Sequence, residues 1–157
     1  MAFKTDFVPS GIFLTVTSLN PDVELPIVKD MRPHITLFYS KLLKGERDYN
    51  ANIHIFTKHV ADSMLGAEFK LSELKKNTFP IGDRLRHDLL WMVKDFDTLY
   101  ELKNRICLLS FDGDVSPSVG FHVTVLADAS EQDIDEKINE FNDIGEIVVK
   151  VVGVTYD

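Results

Sequence analysis

Cysteine, positive charge and long apolar runs are all scarce in this chain, and each scarcity removes a class of protein. The single Cys107 among 157 residues cannot close an internal disulfide, which predicts a reducing, cytoplasmic setting. No metal-ligand residue neighbours Cys107 in the sequence, so it reads as a buried structural thiol. Lys and Arg number 17 against 25 Asp and Glu, a net charge of −8. The imbalance sits in the second half. Residues 1–78 hold 10 basic against 9 acidic side chains, and residues 79–157 hold 7 against 16. A protein that tracks long nucleic acid needs a basic stripe to displace counterions from many phosphates. None is present, so a nucleotide partner, if there is one, is expected to be small. No apolar run approaches the length of a membrane span. The opening Met1-Ala2-Phe3-Lys4-Thr5-Asp6 lacks the apolar centre of a secretion signal. Neither a membrane partner nor secretion is therefore expected. The five histidines (His34, His54, His59, His87, His122) include no H-E-x-x-H, and one cysteine gives no thiolate cluster. No metal and no cofactor are expected.

What remains is ordinary globular material, 45% hydrophobic and 27% charged, most simply one domain spanning 1–157. Alternation of apolar and polar residues predicts strands over 11–19, 33–40, 67–79, 89–93, 121–127 and 147–154. Helical periodicity predicts helices over 52–65 (Ile53, Phe56, Val60, Met64), through Leu99, Leu102, Ile106 and Leu109, and over 130–141. The last carries Ser130 as N-cap and Asp133 three residues on. Residues 22–30 read as a turn or short helix. Residues 41–50, 80–84 and 111–120 read as turns or loops.

Two of the strands open on the same phrase: His34-Ile35-Thr36-Leu37 and His122-Val123-Thr124-Val125. Side chains alternate faces along a strand. His34 and Thr36 therefore share one face and Ile35 and Leu37 the other, and the second copy follows the same rule. A single His-x-Thr is an ordinary strand histidine. Two copies, each followed by loop or turn, amphipathic helix and strand, read as a paired site in two similar halves, roughly 11–80 and 86–157. Two imidazoles with ordinary pKa values near 6.5 can serve as base and acid at neutral pH. Phosphodiester cleavage by a neighbouring 2′-hydroxyl needs that pair on opposite sides of phosphorus, and aimed hydroxyls can hold its oxygens. That assigns His34, Thr36, His122 and Thr124 as catalytic and leaves open which histidine is the base.

With those motifs the chain resembles the 2H phosphoesterases, a superfamily defined by two H-x-[ST] motifs. The resemblance covers nearly the whole chain in element order. Ser10-Gly11-Ile12-Phe13-Leu14 and Phe38-Tyr39-Ser40 look most like the small phage members that cleave cyclic nucleotide messengers. One departure is Gly120, two residues before His122, where many members carry a proline directly before the histidine. The resemblance implies an α+β fold of two lobes, with two antiparallel sheets around a central cleft and helices outside. It implies a metal-independent phosphodiesterase acting on a small cyclic oligonucleotide, a viral antagonist of nucleotide-based immune signalling in the host cytoplasm. Processing of 2′,3′-cyclic phosphate RNA ends and cleavage of 2′,5′-oligoadenylate stay as alternatives. A nucleotide sponge that binds without cleaving is the non-enzymatic one.

Three aromatic residues are candidate substrate contacts. Phe38 shares strand parity with His34, Trp91 is either core or ligand platform, and Tyr156 stands near the chain end. Arg84 and Arg86 lie in a turn from which they could reach a phosphate, with a solvated loop the stronger reading, and Asp128 shares parity with His122 and could orient a group in the cleft.

Overall fold

Alternating β-branched and aromatic residues build six strands: β1 (Pro9–Ser18), β2 (His34–Leu43), β3 (Glu68–Ile81), β4 (Arg84–Val93), β5 (His122–Leu126) and β6 (Ile147–Tyr156). Three helices separate them: α1 (Arg47–Met64), α2 (Asp97–Ser110) and α3 (Glu131–Asn142). The computed structural model describes residues 9–43, 47–110 and 120–156. Within these, the side chains of 9–11, 38–43, 47–54, 56, 105–110 and 156 are left aside.

All strand pairings are antiparallel, and the sheet closes into a barrel in the order β1-β2-β5-β4-β3-β6. Each strand has a partner on both sides, although β2 and β5 meet over a single residue pair. The protein is thus α+β, as its residue pattern suggests. The strands form one closed sheet where two separate sheets were expected, because β2 joins β5 at Ile35–Val123 and β3 joins β6 over Glu68–Leu71.

The apolar strand residues and the helices form one buried cluster. Ile12, Leu14, Ile35, Trp91, Val123 and Val149 meet Val60 and Met64 of α1, Leu99 and Leu102 of α2, and Ile134 and Phe141 of α3. Even an eight-stranded barrel has room inside only for side chains. The three helices therefore lie outside, and the apolar strand faces look out at them. The residues that alternate with these apolar ones, including both His-Thr pairs, take the other face of the sheet, which is part exposed and opens on two cavities.

Several boundaries differ from the sequence reading, each for a physical reason. Residues 41–50 are not one loop, since β2 runs to Leu43 and α1 begins at Arg47. The first turns of α1 are polar, so the apolar period starts only where the helix reaches the core. Residues 80–84 are not a plain turn. β3 and β4 pair through Ile81–Arg84, joined by Gly82-Asp83 with Gly82 at φ +58°. A positive φ at the first turn residue matches the right-handed twist of a two-residue hairpin, and glycine supplies it.

Residues 22–30 form no helix. Val23 and Leu25 are buried, and Val28 and Met31 exchange hydrogen bonds of 3.1 and 3.0 Å around Lys29-Asp30. Both turn residues lie at positive φ, +51° and +62°. Of the segment 111–120, only Gly120 falls among the described residues, and the side chain of Cys107 lies outside them. The α3 cap matches its prediction, with Ser130 Oγ accepting from Asp133 N at 3.1 Å.

Candidate functional site

β2 and β5 pair at Ile35–Val123. Carried one residue each way, this antiparallel register sets His34 across from Thr124 and Thr36 across from His122. The neighbouring ladders extend both rows over four strands. One runs Thr15, His34, Thr124, Leu90 and the other Phe13, Thr36, His122, Met92. Directly opposed Cβ atoms stand about 4.5–5.5 Å apart and diagonal ones about 7–8 Å. The two histidines are a diagonal pair, far enough apart to flank one phosphoryl group. Each has the other motif's threonine directly across from it.

The two imidazoles are oriented in the same way. His34 Nδ1–H donates to Arg32 O at 2.9 Å, and His122 Nδ1–H donates to Gly120 O at 2.7 Å. A carbonyl can only accept, so the proton of each neutral ring sits on Nδ1 and Nε2 is left as an acceptor. The phenyl ring of Phe13 meets His34 edge-on, with centroids 5.5 Å apart, and steadies its plane. Gly120, at φ +93°, turns its carbonyl toward the ring with a backbone that L side chains rarely adopt.

Burial separates the four residues. Thr36 is 7% exposed, while His34, His122 and Thr124 are half-buried. Burial pushes the His122 imidazole below its usual pKa. The Gly120 carbonyl raises it in part, the nearby His34 lowers it further, and Asp88 raises it.

This shift has a measurable consequence. The unfolded chain takes up the proton at about pH 6.5, before the folded protein does. As pH falls below that point, His122 progressively removes stability. The thermal midpoint of the wild type should therefore drop on acidification from pH 7 through 6. His122→Gln should show a shallower drop over the same window. Parallel curves would mean that His122 titrates alike in both states.

Around the pair, β4 contributes Arg86, which the sequence reading placed in a turn, and Asp88, which it missed. Asp88 is buried. Its Oδ1 accepts from Arg86 Nε at 2.9 Å and from the backbone of Asp128 at 2.9 Å, and its Oδ2 accepts from Arg86 Nη2 at 3.3 Å. Arg86 is therefore a strand residue with a side chain 19% exposed, not part of a solvated turn. Its guanidinium also lies over the Phe79 ring, 5.2 Å from the centroid. Arg84 does stay at the surface, pairing bidentately with Asp128 at 2.7 Å for both contacts. That pair holds the Asp128 carboxyl below its usual range, so its two oxygens are engaged by Arg84 at the surface. An arginine and an aspartate two residues apart on a strand share a face, which is the sequence signal that could have found Arg86 and Asp88.

Two cavities open at the His34 end. The smaller, about 190 Å³, is lined by His34 and Thr124 together with Lys29, Arg32, Arg86 and Asp88. The larger, about 530 Å³, is lined by Thr15, Thr17, Leu25 and Val152 and shares Arg32 and Pro33 with the first.

The aromatic candidates fare differently. Trp91 is not a ligand platform. It is fully buried on the helix side and stacks on Phe141 with centroids 4.9 Å apart. Its strand parity, opposite to that of Met92 and Leu90, puts it there. Phe38 and Tyr156 sit on described strands, paired through Ile12 in both cases, but their side chains lie outside the described residues. Among the described residues no three His, Cys, Asp or Glu side chains group as metal ligands, and no helix is long and apolar enough to cross a membrane.

No protein-family model matches the chain, and no curated protein matches it.

Proposed function

We propose that the chain is a metal-independent phosphodiesterase of the 2H type, acting on a small nucleotide. The observation that carries this reading is the β2–β5 register, which brings two His-Thr pairs from distant sequence together as mirrored diagonals. The strand order supports the two-lobed, duplicated form of the fold. Exchanging β1 with β4, β2 with β5 and β3 with β6 maps the ring β1-β2-β5-β4-β3-β6 onto itself. The matching Nδ1 contacts of His34 and His122 follow the same exchange.

His122, whose pKa burial lowers, suits the base that takes the proton of the attacking hydroxyl. His34 is then the acid that protonates the leaving oxygen. The Thr36 and Thr124 hydroxyls donate to the non-bridging oxygens, whose charge grows in the transition state. The larger cavity falls within the roughly 300–1,000 Å³ typical of small-ligand sites, room for a nucleoside. The acidic balance of the chain favours a messenger-sized ligand over long RNA. Cyclic oligonucleotide messengers are the substrates this reading favours, with a role against nucleotide-based immune signalling in the cytoplasm.

The test is incubation with cyclic di- and trinucleotides, 2′–5′ oligoadenylate and RNA ending in a 2′,3′-cyclic phosphate, with products weighed by mass spectrometry and EDTA present in a parallel set. Cleavage of one class that survives EDTA is the expected result. Recovery of every ligand intact overturns the enzymatic reading, and loss of turnover in EDTA overturns its metal independence.

A further inference from the structure

We propose that Arg86, braced by Asp88 and joined by Arg32 and Lys29, forms a second phosphate site beside His34, so that the substrate carries another phosphate besides the diester that breaks. The inference rests on the phosphodiesterase reading and narrows its substrate class.

The smaller cavity connects the two places. Its lining includes His34 and Thr124 together with Arg86, Arg32 and Lys29. At about 190 Å³ it is smaller than the roughly 300 Å³ at which sites for whole small molecules begin, and it suits a phosphate with its linking atoms. Along β4, Arg86 lies four residues from Leu90, the partner of Thr124, or about 13 Å of strand. Arg86 and the Thr124 row are thus different places on the sheet, both bordering this cavity.

The guanidinium is prepared for an anion. Asp88 takes Nε and one contact of Nη2, which fixes the plane of the fork and leaves Nη1 unused by that carboxylate. Since Asp88 is itself buried and also holds the Asp128 backbone, the brace is rigid. Three cations gather here in a chain of net charge −8, and one carboxylate faces them in the cavity lining. The Lys29-Asp30 turn, with both residues at positive φ, holds Lys29 at the mouth.

The experiment compares adenylyl-adenosine with the same dinucleotide carrying a terminal 5′- or 3′-phosphate, in both 2′–5′ and 3′–5′ linkages. The wild type should prefer a phosphorylated form by about tenfold or more in kcat/KM, the scale of a charged hydrogen bond. In Arg86→Gln that preference should fall below about threefold, and Arg86→Lys, which keeps charge without the fork, should fall between. Should Arg86→Gln not fold, Arg32→Gln at an exposed position carries the same test and should also shrink the preference. Equal cleavage of all forms by the wild type, or a preference untouched in Arg86→Gln and Arg32→Gln, overturns the second site alone. Where only a member of the larger panel is cleaved, Arg86→Gln and Arg32→Gln should each raise KM for it by about tenfold, and an unchanged KM in both overturns the second site alone; cleavage of nothing in either set overturns the phosphodiesterase reading and this inference with it.

Discussion

His34→Ala and His122→Ala should each lower kcat by about 10²- to 10⁴-fold on whichever nucleotide the wild type cleaves, the range general acid–base catalysis supplies. The double variant should be little worse than the poorer single one, because base and acid act on the same displacement and their losses do not add. Both residues are half-buried on the face away from the main apolar cluster, and Nδ1 of each is bound to a carbonyl at the strand entrance. Folding should therefore survive both substitutions, so circular dichroism can separate lost chemistry from lost structure. Retained full turnover in either single variant would mean that the paired imidazoles are not the working groups.

Trp91→Ala should cost about 3–5 kcal/mol of stability, as truncating a buried aromatic does. Against a total of roughly 5–15 kcal/mol for a domain, that is a large share. The indole is fully buried and lies between the sheet and Phe141 of α3, so its removal leaves a cavity where sheet and helix meet. Its Nε1 is buried without a hydrogen-bond partner among the described residues. Trp91→Phe keeps a ring against Phe141 and removes that unpaired donor, so it should cost far less than Trp91→Ala. Urea unfolding of the three proteins measures the order, and an alanine variant as stable as the wild type would show that the stack contributes nothing.

The strands and their faces were legible in sequence because period-two alternation is a local signal. Ile35 and Val123 are 0% exposed, and the His and Thr beside them take the other face, as strand parity requires. The closed sheet was not legible. It depends on β2 meeting β5 and β3 meeting β6, pairings between residues about 80 positions apart that no local pattern encodes. Trp91 shows the limit of composition, for only the parity of β4 decides between platform and core. Arg86 was hidden for the opposite reason. The polar start of β4, Arg84-Leu85-Arg86-His87-Asp88, resembles a loop until its hairpin with β3 is known. The threonine and histidine of each motif could be assigned a face, but their crossing with the other motif's partners comes only from the register.

The place where the two His-x-Thr strands meet is also the thinnest seam in the barrel. β3 and β4 are zipped through ten residue pairs, whereas β2 and β5 share the single pair Ile35–Val123. Separating the strands there breaks few ladder bonds, and opening of that kind is drawn from the least stable parts of a fold. A small spreading of the seam would carry His34 and His122 apart while each keeps its own carbonyl anchor. Such breathing would part β2 from β5 without unfolding either strand.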